Sequence, residues 1–245
     1  MQTQSQSTNH IHRDNHLLRA LPEATLARLA PHFREREMEH KAVLFHPHAE
    51  VKEVYFPLSG VISWIVSMQD GDMAEAVTIG REGVAGISGV LGGTTGAAAG
   101  IVQAAGRAIV IPRDALAAAA DDDVNLLKTI TQYANTLINV MAQCAACNRL
   151  HDVTERCARW LLMMHDRADG DEFTLLQEFL ADMLGVRRPS VSVCASILQR
   201  AGFISYRRGK VRVENRKGLE NAACECYGVI SDEYAGMFAR LGTAR

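Results

Sequence analysis

The sequence predicts an α+β chain whose first half is built from short strands and whose second half is helical. Three observations carry that prediction. Between Met38 and Ile111, brief β-branched and aromatic runs alternate with turn residues. From Val124 to Asn148 there is neither Gly nor Pro, which permits one uninterrupted helix. Beyond Thr174, two helical patterns meet at Gly185 and lead into a hairpin pattern with a cationic tip.

At 245 residues the chain can hold one large domain or two ordinary ones. Hydrophobic residues make up 48% and charged residues 22%, as in globular domains, and the net charge is −2. A near-neutral chain is not one that coats nucleic acid with its whole surface; a locally basic segment implies one dedicated binding end. Met1 to Ser7 is polar and no run of about 18 apolar residues exists, so neither a secretory signal nor a membrane span is expected, and the location expected is cytoplasmic. The six cysteines (Cys144, Cys147, Cys157, Cys194, Cys224 and Cys226) then read as reduced thiols rather than a disulfide framework.

Residues 1–16 read as a flexible polar tail, in which His10, His12 and His16 are expected to be solvated rather than metal-bound. Leu17 to Phe33 has helical periodicity, restarted at Pro22-Glu23. Strand candidates follow at Val43–Phe45, Val54–Phe56, Val61–Val66, Ala76–Ile79 and Ala108–Ile111. Turn signals at Pro57–Gly60, Gln69–Asp72 and Gly80–Gly83 separate them. Many short strands at this spacing suggest a jelly-roll β-barrel, a sensor domain over residues 17–120 closed by a short helix from Pro112 to Ala120.

Residues 121–149 form the long helix, with Asp121, Asp122 and Asp123 as acids at its N-terminus. Leu126, Ile130, Tyr133, Leu137 and Val140 make one apolar side. Val124, Thr131, Ala134, Ile138, Met141 and Ala145 approximate a second seam with a 3.5-residue repeat. Two apolar sides need two coverings; both could pack inside one monomer, but the reading favoured is a dimerisation helix that meets its own copy, with the chain expected to be a homodimer.

Residues 150–245 complete the chain. Asp152 to Asp166 is amphipathic, with Val153, Cys157, Trp160, Leu161 and Met164 facing inward. Leu176, Phe179, Leu180, Met183 and Leu184 fall at helical spacing until Gly185, a residue free to take positive φ. A second helix starting at Pro189 would bury Val191, Cys194, Ala195 and Leu198. Its opposite face carries Pro189, Ser190, Ser192, Val193, Ser196 and Arg200, entered through Arg187 and Arg188. A small-residue face flanked by arginines suits the DNA major groove. Gly202 to Val213 reads as a hairpin tipped by Arg207, Arg208 and Lys210, giving a winged helix-turn-helix whose expected partner is double-stranded DNA. Between Gly185 and Lys217 the sole acid is Glu214. A helical segment from Arg216 to Leu241 follows.

No cofactor or metal is expected. Cys144 and Cys147, at i and i+3, read as packing residues of the helix seam more readily than as thiols meeting across a dimer. Cys224 and Cys226 cannot share one helix face and make a still weaker metal pair. His46 with His48 is too sparse a ligand set for a metalloenzyme, and no nucleophile motif or Walker-type loop is present, so the chain is not expected to be an enzyme. The competing reading is a small-molecule- or redox-sensing regulatory protein whose helix-turn-helix serves protein interaction.

The stretch Leu175-Leu176-Gln177-Glu178-Phe179-Leu180-Ala181-Asp182-Met183-Leu184-Gly185-Val186-Arg187-Arg188-Pro189-Ser190-Val191-Ser192, with Leu198 to Ile204, resembles the helix-turn-helix of the Crp/Fnr family. Phe56 to Val61 and Gly80 to Gly86 look like that family's strand-and-turn pattern, and the resemblance spans about residues 17 to 228. It implies a cyclic-nucleotide-binding-like sensor domain and a homodimeric transcription regulator on pseudo-palindromic promoter sites, with RNA polymerase as a further partner. In nucleotide-binding members a Gly-Glu-x-Gly turn holds the ribose and an Arg-Ser pair holds the cyclic phosphate. Here Gly83-Val84-Ala85-Gly86 lacks the carboxylate, and Gly96-Ala97-Ala98-Ala99-Gly100 lacks the arginine. The pocket around Gly83, Val84, Gly86, Ala98 and Ala99 is thus degenerate, and tight cyclic AMP binding is not expected. Iron–sulfur members carry several cysteines near the N-terminus, and none here precedes Cys144; for haem, His46, His48 and His151 are candidates by residue type alone. Of the family's Arg-Glu-x-x-x-Arg base-reading positions, Arg188 is kept, while Pro189 and Val193 replace the other two, so a different half-site is expected.

Overall fold

The computed structural model describes residues 12–242, and the chain divides into two compact units. One comprises Met1–Ser63, Ile79–Leu137 and Tyr234–Arg245; the other comprises Trp64–Thr78 and Ile138–Glu233.

In the first unit, residues 12–16 are helical and packed, where a flexible tail was expected. His12–Asp14 is a turn of 3₁₀ helix, and His12 is buried with its ring tilted against Phe33. The fully buried Asn15 is the reason. Its Oδ1 accepts from the backbone amides of Leu17 and Leu18, capping α1 (His16–Ala20). Its Nδ2 donates to the carbonyls of Pro57 and Gly83, at 3.0 and 2.9 Å. The tail expectation is therefore corrected for residues 12–16, and His16 packs edge-on against Phe238. His10 and the rest of residues 1–11 lie outside the described residues.

Pro22 restarts the helix as α2 (Glu23–Leu29), as its fixed φ requires. Seven strands follow: β1 (Arg34–Met38), β2 (Val43–Phe45), β3 (Glu53–Pro57), β4 (Val61–Ser67), β5 (Met73–Ile79), β6 (Ala99–Ala104) and β7 (Gly106–Pro112), of which β4 from Trp64 and β5 up to Thr78 belong to the second unit. They form two sheets, ordered β1-β7-β3 and β2-β6-β4-β5. The central β7 runs antiparallel to both neighbours, with Arg34 opposite Val110 and Tyr55 opposite Val110 on its other side. Its residues Ala108 to Ile111 are all buried, as expected for a strand covered on both faces. The sheets do not close, so the expected jelly-roll barrel is corrected to an open, two-sheet jelly roll. The edge strand β1 reads Arg-Glu-Arg-Glu-Met, and such alternating charge discourages further edge pairing.

Helix α3 (Arg113–Asp122) ends the strand region and α4 (Val124–Leu150) follows after one residue. Asp121 and Asp122 thus close α3, and of the three acids Asp123 serves the N-terminus of α4. Its Oδ1 accepts from the amides of Asn125 and Leu126, while Oδ2 accepts from Thr25 Oγ1 at 2.6 Å and from Arg28. Along α4, Leu126, Ile130, Tyr133, Leu137 and Val140 are buried, whereas Val124 and Ile138 are 75% and 62% exposed.

In the second unit, α5 (Val153–His165) opens on a capping box between Asp152 and Glu155. Cys157, Trp160, Leu161 and Met164 are buried as expected, though Val153 is only half-buried and burial extends round the helix to Arg156 and Arg159. Trp160 Nε1 donates to Glu75 Oε2 at 2.8 Å, and Arg156 donates to the Leu184 carbonyl. The remaining elements are β8 (Glu172–Thr174), α6 (Gln177–Leu184), α7 (Arg188–Arg200), β9 (Ile204–Arg207), β10 (Lys210–Val213), α8 (Arg216–Ala222) and α9 (Cys226–Arg240). The three strands form a sheet ordered β8-β10-β9, and α5 packs against α7 and α8. No helix among the described residues is long and apolar enough to cross a membrane.

The Asp123 carboxyl is held below its ordinary value of 3.8, first by the Thr25 hydrogen bond, then by the Leu126 and Asn125 amides and the Arg28 charge. A depressed carboxyl stabilises the fold above its unfolded pKa, and that contribution disappears as pH falls through the lower folded value. Asp123→Ala should therefore cost about 1–2 kcal/mol at pH 7, the worth of a helix cap, and its deficit should shrink below about pH 4. Urea unfolding midpoints of both proteins across that range measure it.

Candidate nucleic-acid interface

Helix α6 stops because Gly185 adopts φ 60° and ψ 43°. Its amide donates to the Asp182 carbonyl at 3.1 Å and the Val186 amide donates to that of Ala181 at 3.0 Å, a Schellman closure. Leu180, Met183 and Leu184 are buried as expected and Phe179 is half-buried. Leu176 departs from expectation: it precedes the helix and is 42% exposed, with its Cδ2 lying over Gly209.

After three connecting residues α7 starts at Arg188, so Pro189 is its second residue rather than its first. Proline is tolerated at either place because first-turn amides have no helical acceptor. Val191, Cys194, Ala195 and Leu198 are all buried. Arg187, Arg188, Pro189, Val193, Ser196 and Arg200 are exposed, and Ser190 and Ser192 are half-buried. Ser192 Oγ donates to Gln177 Oε1 at 2.9 Å, bracing the second helix on the first. An open groove of about 710 Å³ runs along this face, lined by Ser192, Val193, Ser196, Gln199 and Arg200. Gln199 was not singled out by the sequence. Its Oε1 accepts from the Tyr206 amide at 2.9 Å, tying the helix to the wing, a contact that local spacing does not reveal.

The wing is the β9–β10 hairpin, with Lys210 opposite Arg207. Its two-residue turn has positive φ at both Arg208 (51°) and Gly209 (76°), the type I′ pattern that matches strand twist. Tyr206 OH donates to the Leu175 carbonyl at 2.7 Å, and the Leu175 amide donates to that of Gly209 at 2.8 Å. Arg207, Arg208 and Lys210 are exposed at the tip. Lys210 Nζ already meets Glu172 Oε1 at 2.9 Å. Arg216 is drawn away from the basic face by Asp166 at 2.6 Å and Glu220 at 2.9 Å.

Of the residues aligned with a nucleotide pocket, Gly83, Val84, Gly86 and Ala99 are buried and Ala98 is half-buried. The Tyr133 hydroxyl stands where a Cβ on Gly83 would be, and the Phe45 ring stands where one on Gly100 would be. Nearby, Arg81 Nε donates to the Leu58 carbonyl at 2.7 Å.

A second constellation departs from expectation. Cys147 and His151 sit one turn apart at the end of α4, and Cys224 and Cys226 lie at the junction of α8 and α9. The donor atoms of all four lie within 4.8 Å of one another. Cys224 precedes α9 and Cys226 begins it, so the helix-face objection to this pair does not apply. Cys144 stands apart, beside Arg159 Nη1 at 3.8 Å. The Cys147 thiol is drawn down to about 5, foremost by its hydrogen bond with Cys224, while that same bond and burial push Cys224 up. His151 is raised, first by Cys147.

The family profile of the Crp-like helix-turn-helix domain matches residues 155–222. Among solved structures, FixK2 from Bradyrhizobium japonicum is similar at 19% identity and TM-score 0.67, over 78% of this chain and 98% of that one. CLP from Xanthomonas campestris, a c-di-GMP responsive global regulator, is similar at 19% identity and TM-score 0.63, over 78% and 99%. TTHB099, a CRP-family transcriptional regulator from Thermus thermophilus, is similar at 19% identity and TM-score 0.64, over 77% and 96%. No curated protein matches the sequence. Residues 155–222 are therefore a Crp-like helix-turn-helix domain, in a chain that has the fold of the Crp/Fnr transcription regulators.

Proposed function

We propose that the chain is a cytoplasmic, non-enzymatic transcription regulator that binds double-stranded DNA as a homodimer on pseudo-palindromic promoter sites, where RNA polymerase is its further partner. One observation carries this reading: the exposed face of α7 has small residues between Arg188 and Arg200, beside a wing tipped by Arg207 and Arg208. Small side chains let a helix approach base edges, and flanking cations meet phosphates. Arg188 is the residue suited to reading a guanine edge, and Val193, 60% exposed, to touching a thymine methyl group. Pro189, Ser190, Ser192 and Ser196 would shape the fit, with Arg187, Arg200 and Lys210 on the backbone. The homodimer reading rests on the uncovered α4 seam that includes Val124, Leu127 and Ile138.

Regulation by tight cyclic AMP binding is not part of the proposal. The ribose carboxylate and phosphate arginine are missing from the aligned residues, and Tyr133 and Phe45 crowd the glycines there.

Three measurements test these statements. In gel-shift titrations, Arg188→Ala should lose about 1–3 kcal/mol on a specific duplex and little on random DNA. Arg208→Asn should weaken both about equally, with a shallower salt dependence and undiminished stability, because Asn-Gly suits the turn. Equal losses for Arg188→Ala on both duplexes would refute its base-reading role. Ile138→Asp should leave the fold intact and shift sedimentation from dimer to monomer; an unchanged dimer would remove α4 as the interface. Calorimetric titration with cyclic AMP should show no micromolar binding, and such binding would restore the nucleotide as effector.

A further inference from the structure

We propose that Cys147, His151, Cys224 and Cys226 bind a single divalent, thiophilic metal ion, best matched by Zn²⁺, in a closed four-ligand site. The four donor atoms already lie within 4.8 Å of one another. Cys147 Sγ and Cys224 Sγ are 3.5 Å apart, and Cys226 Sγ is 3.5 Å from His151 Nδ1. Zinc bonds of about 2.3 Å to sulfur and about 2.0–2.1 Å to nitrogen, arranged tetrahedrally, require donors roughly 3.5–3.8 Å apart. The four donors need no large rearrangement to enclose one ion. A multi-iron cluster would need its thiolates spread more widely.

The chemistry of the set agrees. Three thiolates and one imidazole form a soft donor combination that favours zinc over magnesium or calcium. Four protein ligands leave no open position, so the site is structural rather than catalytic. The surroundings are arranged as those of a metal centre are. His151 Nε2 faces Glu225 Oε2 at 3.1 Å, which leaves Nδ1 toward the sulfurs and fixes the tautomer a metal requires. Gln143 Nε2 donates to Cys226 Sγ at 3.0 Å. A centre of three thiolates and one divalent ion carries a net negative charge, and Arg159, 5% exposed, supplies a buried cation close by.

Packing alone explains less. Three buried cysteines can fill an apolar corner, but packing does not call for a histidine held by a carboxylate beside them. The site's place in the chain also gives it a role. It joins the last turn of α4 to the connection between α8 and α9, segments 77 residues apart in sequence at Cys147 and Cys224. A bound ion would clasp the C-terminal helices to the end of the long helix within the second unit.

The test is metal analysis of the full-length chain, purified under reducing conditions without chelator and exposed to Zn²⁺ alone. One zinc per chain is expected after desalting, with three thiols protected from a chromogenic thiol reagent until a chelator is added. Replacement by Co²⁺ should give the visible bands of a tetrahedral thiolate site. Cys224→Ser and His151→Ala should lower zinc retention at least tenfold, and Cys144→Ser should not. If the variants fail to fold, thiol protection and the cobalt spectrum of the unaltered chain still decide. The proposal is overturned if the reduced chain retains no zinc and its thiols react alike with and without chelator. It is equally overturned if Cys144→Ser abolishes binding while Cys224→Ser preserves it.

Discussion

The unbroken helix from Val124 to Leu150 supplies buried residues to both compact units. Its buried residues Leu126, Ile130, Tyr133, Leu137, Val140, Cys144 and Cys147 recur at alternating steps of four and three. That repeat of about 3.5 residues forms one continuous stripe that winds slowly around the helix, because the helix itself has about 3.6 residues per turn. The first of these residues serve the strand-rich unit and the last serve the helical unit. Each large side chain so buried contributes about 1.5–3 kcal/mol, so continuity of the helix matters to both. Asp123 secures its start, and the Cys147 and His151 pair lies at its end. Val124, Leu127 and Ile138 remain exposed on the other side.

The helix-turn-helix was legible because its signals are local. Val191, Cys194, Ala195 and Leu198 lie on one stripe by spacing alone, and they are all buried. Gly185 was readable as a stop because few other residues take φ 60° at low cost. The helix began one residue early because both Arg188 and Pro189 suit an unpaired first turn. Leu176 was misread because apolar periodicity does not distinguish a helix residue from one just before it.

Other features depend on partners far away in sequence. Strand β1 is Arg-Glu-Arg-Glu-Met and has no apolar alternation; its pairing with β7 makes it a strand. Strand β6 begins at Ala99-Gly100, where no strand was expected, and Gly100 is where the Phe45 ring packs. Whether two sheets close is likewise decided by edges, not by strand count. The ordering of residues 12–16 hinges on Asn15 reaching Pro57 and Gly83. The cysteine and histidine cluster was hidden for the same reason, since a helix-face argument applied to Cys224 and Cys226 ignores what the end of α4 brings to them.

The central claim is that the α7 face and the wing read DNA in pairs. The most direct measurement is selection of duplexes from a random pool by the full-length chain, followed by sequencing. The account predicts enrichment of two inverted half-sites whose centres lie about one DNA turn, roughly 34 Å, or a multiple of it apart. Enrichment of a single unpaired half-site, or of no sequence at all, would contradict it.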